Sequence, residues 1–251
     1  MFEESLAEGR SFLHTLDPRV KIVIAFVYTL IVALSSRLSS LIWAGLFVGI
    51  LFGLAQLGIC RVLRQVLLAN YFILLLVLVL PFTYPGKVLY SFGPLSLTKE
   101  GAIYGLTIFF KSNLILTCLV LLLSTTSVFT LAHALHHMHV SEKLVQLIFF
   151  SFRYVHVIQR EYQKLMASIK LRGFVPRTNF YTYKTYAYLV ASLLIKSYDR
   201  SERVYKAMLC RGFRGTFPTY RHFKLQRKDK LFALGASLYL IFLIFWTFRP
   251  F

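Results

Sequence analysis

From Gly101 to Ser124 the chain carries a single charged side chain, Lys111. A helix rises about 1.5 Å per residue, so a run of this length crosses a hydrocarbon core about 30 Å thick. It reads as a transmembrane helix, and it has company. Apolar runs also extend from about Val20 to Ser35, Leu41 to Ile59, Val66 to Phe82 and Leu231 to Phe248. The composition agrees: 57% of the 251 residues are hydrophobic, mean hydropathy is +0.63, and 16% are charged, where a soluble domain carries about 25%.

Between the runs the chain gives ordinary boundary signals. Leu16-Asp17-Pro18-Arg19 predicts a helix start, since Asp accepts the unpaired N–H groups at the N-cap and Pro is harmless at the next position. Arg37 and its neighbouring serines mark a tight loop. Arg61 and Arg64 precede the third run, Pro81 and Pro85 close it, and Tyr84 to Thr98 is a Gly/Pro-containing loop. Arg10, Arg19, Lys21, Arg61 and Arg64 fall on one side, which the positive-inside rule makes cytoplasmic. Five crossings follow, N-terminus inside and C-terminus outside. Val145 to Ile158 is also apolar but short, with Arg153 and His156, and suits an interfacial or buried helix; a six-span count is the alternative. Met1-Phe2-Glu3-Glu4 shows no signal-peptide pattern. Cys60, Cys118 and Cys210 show neither disulfide-framework nor zinc spacing.

Net charge is +19, and 19 of the 29 Lys and Arg lie between Glu142 and Lys230 beside five acids. This basic body predicts three helices: Val128 to His139, Glu142 to Leu171 and Thr185 to Cys210. Tyr154, Ile158, Tyr162, Leu165 and Ile169 make an apolar stripe on the second, with Arg160, Lys164 and Lys170 off it. Val190, Leu194, Tyr198, Tyr205 and Met208 do so on the third. The expected fold is an all-α membrane protein of about five transmembrane helices plus long cytoplasmic amphipathic helices. Its regions are a four-span part over residues 1–127, a cytoplasmic part over 128–230 and a last span over 231–251.

No catalytic pattern emerges: no nucleophile elbow, no acid pair in or near a span, and no Gly-rich phosphate loop before a lysine. An enzyme is not expected, and transport would need an ion gradient or a borrowed ATPase. His133, His136 and His137 share a helical face that can chelate a transition metal, but with no carboxylate or thiolate nearby they read as interfacial polar residues. Lys111, inside the fourth span, either contacts another helix or subunit or snorkels to the surface. Lys170-Leu171-Arg172-Gly173-Phe174 and Leu209-Cys210-Arg211-Gly212-Phe213 end the two long helices in nearly the same words. Gly after a helix stops it and Arg complements its dipole. The repetition also presents two guanidinium groups on rigid rods for a partner's carboxylates or carbonyls. Arg214-Gly215 follows an existing helix end and reads as loop.

The segment from Ser197 to Gly215 closely resembles the signature of the T components of energy-coupling factor transporters, nearest the cobalt and nickel branch, the CbiQ family. Ser151-Phe152-Arg153-Tyr154, Leu171-Arg172-Gly173 and Leu16-Asp17-Pro18-Arg19 fit it in the same order. The resemblance implies a non-catalytic membrane scaffold that joins two cytoplasmic ATP-binding-cassette ATPases to a substrate-binding membrane S component in a bacterial or archaeal cytoplasmic membrane. It implies no cofactor in this chain, ATP being bound by the partners, and no nucleic acid. It also implies that Leu171-Arg172-Gly173 and Cys210-Arg211-Gly212, at the ends of coupling helices, dock into the ATPases. Leu171 and Cys210 replace the small residue, commonly Ala, that the family places before each arginine. The alternatives are a T component of a vitamin transporter, a membrane-anchored basic module for anionic lipid or nucleic acid, and a standalone channel or carrier.

Overall fold

Asp17, Pro18 and the apolar run behind them start a helix as the sequence predicts. In the computed structural model Pro18 is its first residue, and the Asp17 carboxylate accepts from Arg19 N at 3.0 Å. The structure describes residues 11–35, 38–92, 95–138, 140–215 and 226–248; Met1 to Glu4, Arg10, Arg37 and His139, used above, lie outside them. The elements are α1 (Phe12–Thr15), α2 (Pro18–Leu34), α3 (Leu38–Ala55), α4 (Ile59–Thr83), β1 (Val88–Phe92), β2 (Leu95–Thr98), α5 (Lys99–Leu123), α6 (Val128–His137), α7 (Glu142–Leu171), α8 (Phe180–Cys210) and α9 (Arg227–Phe248). They fall into two compact units, Met1–Ala134 with Phe223–Phe251, and Leu135–His222.

The first unit is a helical bundle around α2. Tyr28 is fully buried and stacks on Phe47, which stacks in turn on Tyr239, each pair with centroids 5.2 Å apart. Both tyrosines also donate to backbone across helices, Tyr28 Oη to Ala44 O at 3.1 Å and Tyr239 Oη to Trp43 O at 2.8 Å. This leaves neither tyrosine hydroxyl unpaired in the apolar interior.

The helices α4 and α5 form an antiparallel pair. A Cβ added at Gly101 would lie 2.9 Å from Pro81 Cα, and one at Gly105 3.4 Å from Val77 O. Gly101-x-x-x-Gly105 is therefore a small-residue seam that lets two backbones meet. It lies where Pro81, inside α4, cannot donate to the Val77 carbonyl four residues earlier. Thr98 finishes the end of α4, its hydroxyl lying 3.0 Å from Pro81 O and 2.9 Å from Tyr84 O. Deeper in the pair, Asn70 Nδ2 donates to Asn113 Oδ1 at 2.6 Å.

Three expectations change here. The loop from Tyr84 to Thr98 contains an antiparallel hairpin pairing Val88 with Thr98 and Phe92 with Leu95, so the chain is helical but not purely so. Arg61 and Arg64 lie within α4, which starts at Ile59, and α4 continues through Pro81 to Thr83. Proline breaks the helix here only by one hydrogen bond, and Tyr84 N still bonds to Leu80 O at 3.0 Å.

Among the described residues two helices, Lys99–Leu123 and Arg227–Thr247, are long and apolar enough to cross a membrane; their most apolar windows are only 22% and 17% buried. A core helix of a soluble protein would be covered. Leu231, Leu234, Leu238, Ile241 and Phe245 instead expose an apolar face along α9, which water does not tolerate and lipid does. Ser39–Ala55 and Asn70–Thr83 are shorter apolar helical stretches.

In the second unit α7 and α8 run antiparallel. Val145 to Ile158 is part of α7, one continuous 30-residue amphipathic helix. The third helix of the basic body begins at Phe180, earlier than the sequence pattern indicates, because Asn179 O accepts from Thr182 N at 2.9 Å and Tyr183 N at 3.3 Å. Its first turn, Phe180-Tyr181-Thr182-Tyr183, is poor in strong helix formers, which concealed it.

Candidate coupling ends of the basic helices

The two Arg-Gly ends fold alike. After α7, Gly173 N donates to Lys170 O at 3.0 Å and Phe174 N to Ile169 O at 3.3 Å; after α8, Gly212 N donates to Leu209 O at 2.9 Å and Phe213 N to Met208 O at 3.1 Å. These are paired Schellman closures, which satisfy the last carbonyls of each helix. Both glycines have φ +80°, a conformation that a Cβ resists. Arg172 (φ −84°, ψ 14°) and Arg211 (φ −91°, ψ 10°) occupy the same capping position, and both are exposed.

The phenylalanine after the first glycine turns inward, and Phe213, after the second, is half-buried. Phe174 is buried, its ring centroid 5.8 Å from that of Tyr186 and 6.4 Å from that of Tyr181. It pins the α7 tip to the first turns of α8. Leu171, before Arg172, is 89% exposed, and Cys210, before Arg211, is an exposed free thiol. Arg214-Gly215 is irregular backbone, as expected, and Gly215 O accepts from Gln146 Nε2 at 3.1 Å.

Because α7 ends beside the start of α8, the arginines do not share a location. Arg211 lies at the far end of the 31-residue α8, about 46 Å of helix away. One groove on one partner cannot hold both.

Lys196 Nζ joins Glu161 Oε1 at 2.6 Å between the two helices. The donated hydrogen bond holds the Glu161 carboxyl below the usual glutamate range. On either side of this contact lies a cleft. One, of about 610 Å³, is flanked by Arg172, Lys184, Tyr181 and Tyr188. The other, of about 360 Å³, is lined by Phe150, Tyr154, Ile158, Val204 and Met208, with Arg200 at its edge. The apolar stripe on α7 faces these clefts. On α8 the stripe divides: Met208 faces α7, whereas Val190, Leu194, Tyr198 and Tyr205 are exposed, and Leu189 packs inward in their place.

Lys111 Nζ donates to Ala33 O at 3.3 Å, one of the last carbonyls of α2, which lack intrahelical donors. His136 Nε2 lies 3.6 Å from Glu142 Oε1 and its ring 5.8 Å from that of His137, so a carboxylate does approach this group. The turn between α6 and α7 brings it there. Among the described residues no cluster of three or more His, Cys, Asp or Glu side chains assembles, and His133 is half-buried on α6.

Sequence reasoning missed a buried polar cluster in the first unit. Lys21, treated above as a boundary charge, is fully buried, and Asp17 and Asp229 are nearly so. Lys21 Nζ donates to Thr126 Oγ1 at 2.8 Å and Thr125 Oγ1 at 3.3 Å, and Asp229 accepts from Asp17 N at 3.0 Å. The cluster joins α2, the α5–α6 junction and α9. Its only sequence signal is Asp229, an isolated acid among Arg227, Lys228 and Lys230.

Residues 9–222 match the family model CbiQ, described as cobalt transport protein. The chain belongs to the CbiQ family. Its relatives include proteins called energy-coupling factor transporter transmembrane protein EcfT. That of Leuconostoc gelidum subsp. gasicomitatum is 26% identical over 95% of this chain and 94% of its own length. Those of Lacticaseibacillus paracasei and Listeria innocua serovar 6a are 28% identical (90% of this chain, 91% of theirs) and 29% identical (82% of each). Membership of the CbiQ family makes the chain a non-catalytic membrane subunit of a transporter.

Proposed function

We propose that this chain is the coupling subunit of an energy-coupling factor importer for cobalt or nickel ions. In this reading Leu171-Arg172-Gly173 and Cys210-Arg211-Gly212 dock into two cytoplasmic ATP-binding-cassette ATPases, and a substrate-binding membrane S component packs on the apolar surfaces. The observation that carries it is the pair of identical closures presenting exposed arginines at opposite ends of the α7–α8 pair. That arrangement suits two ATPases, one per tip. ATP-driven closure would shift the tips, and the exposed α8 stripe of Val190, Leu194, Tyr198 and Tyr205 would carry the shift to the S component. The arginines transmit force; ATP stays on the partners.

The proposed topology is five crossings, N-terminus cytoplasmic and C-terminus outside, with residues 1–127 and 231–251 in the membrane and 128–230 as the cytoplasmic part. Support comes from α9. Arg227 and Lys228 begin it, while Trp246, whose ring centroid is 5.8 Å from that of Trp43, lies near its other end, roughly 27 Å away. Basic residues at one boundary and tryptophans at the other are how a crossing helix is anchored.

The cobalt cargo rests on the family description; the relatives' names give none. The test is co-expression with the neighbouring ATPases and membrane subunits. Affinity capture should recover both ATPases with the wild type, with one lost on Arg172→Ala and the other on Arg211→Ala. Radiolabelled cobalt uptake should vanish in the double variant. Normal capture and normal uptake in the double variant would remove the coupling role, while vitamin uptake in place of cobalt uptake would reassign the cargo alone.

A further inference from the structure

The first unit carries a groove of about 520 Å³ between α1, α3 and α9. Its wall is apolar, formed by Phe12, Phe47, Leu51, Leu54, Phe232 and Tyr239. Its mouth, at the start of α9, is flanked by exposed Arg227 and Lys228. The acid between these and Lys230 does not neutralise the mouth. Asp229 is 3% exposed, and its two oxygens accept from Asp17 N at 3.0 Å and Gln226 N at 2.8 Å, turned into the bundle. Among the described residues no carboxylate lies within ion-pair distance of Arg227 or Lys228.

The groove's length fits one leaflet. From Arg227 to Tyr239 it follows α9 for about 18 Å, close to half of a hydrocarbon core about 30 Å thick. At that depth it is lined by Tyr239, whose hydroxyl is committed to Trp43 O and adds nothing polar to the wall. Ile50 and Leu231, both exposed, flank the opening, so the groove faces the surface that lipid covers. Two cations at the boundary above a strip of apolar wall match a phosphate headgroup above an acyl chain. The positive end of the α9 dipole adds to the attraction.

We propose that this groove binds one anionic phospholipid, its phosphate on Arg227 and Lys228 and one acyl chain along Phe12, Leu54 and Phe232, over a floor of buried Phe47 and Leu51. The site stands independently of the coupling role; only its assignment to the cytoplasmic leaflet rests on the proposed topology.

The full chain, reconstituted in vesicles of equal phosphatidylglycerol and phosphatidylethanolamine, is extracted in mild detergent, and retained lipids are counted by native mass spectrometry. The wild type should keep one phosphatidylglycerol, preferred over phosphatidylethanolamine roughly tenfold or more. Arg227→Ala/Lys228→Ala should abolish the preference. Gly235 lines the groove, and a Cβ there meets nothing within 4 Å, so Gly235→Leu can fill the groove without displacing backbone while leaving both cations in place. It should lose the lipid. Retention in the vesicle's own ratio by the wild type, or undiminished phosphatidylglycerol on Gly235→Leu, would overturn the proposal, the latter because surface charge alone would then explain the binding.

Discussion

Lys21 and Thr126 are joined across 105 residues of sequence by a 2.8 Å hydrogen bond from Nζ to Oγ1. The bond fixes the first turn of α2 to the turn from which α6 departs. Asp229 fixes α9 to the same place through Asp17 N. Removing the Lys21 amine leaves the two threonine hydroxyls without that donor inside the bundle.

Lys21→Ala should therefore destabilise the first unit by about 1–3 kcal/mol. Thermal unfolding in detergent, followed by tryptophan fluorescence, would show a lower midpoint. An unchanged midpoint would mean that Thr125 and Thr126 are satisfied without the lysine.

Glu161→Gln should loosen the α7–α8 contact, and the Glu161→Lys/Lys196→Glu exchange should restore it. The pH dependence has a definite sign. A carboxyl whose folded-state pKa is depressed contributes stability that is full above its unfolded value and is lost as pH falls through the folded value. Distances between spin labels on α7 and α8 should accordingly broaden below the ordinary glutamate range and narrow again on return to neutral pH. The Gln variant should show no such transition.

Gly101→Leu should push α4 and α5 apart at Pro81, with a cost of about 1–3 kcal/mol from overpacking. Gly49→Ala, where an added Cβ meets nothing within 4 Å, is the control. If both variants melt like the wild type, the seam is not a close contact in the membrane.

Gly173→Ala and Gly212→Ala should each strain the helix end by about 1–2 kcal/mol, whereas Asn at either position, which enters the left-handed region more readily, should be milder. ATPase capture should fall with Ala and recover partly with Asn. Equal capture by all four variants would show that the orientation of the guanidinium groups is irrelevant.

The second unit was largely legible in the sequence and the first only in outline. Glu142 to Leu171 is α7 to the residue, because the Leu171-Arg172-Gly173 stop and the apolar period are local signals. Asp17 and Asp229 could not be paired by any local rule, since their meeting depends on α2 and α9 packing together. The Tyr84 to Thr98 segment looked like loop because its Gly and Pro residues outweighed two short alternating stretches. The direction in which the α8 stripe faces was left open for a related reason. Periodicity shows that Val190, Leu194 and Tyr198 share a side, but not which side Leu189 and Lys196 turn toward α7.

The position of the Glu161–Lys196 contact makes the two tips unequal levers. It lies roughly 15 Å of helix from Leu171 and about 21 Å from Cys210. A rotation of one helix over the other about that fulcrum sweeps the Arg211 tip through an arc about 1.4 times as long as the Arg172 tip's. A symmetric rotation about this contact would thus reach the two ends as an asymmetric stroke, with the longer travel at Arg211.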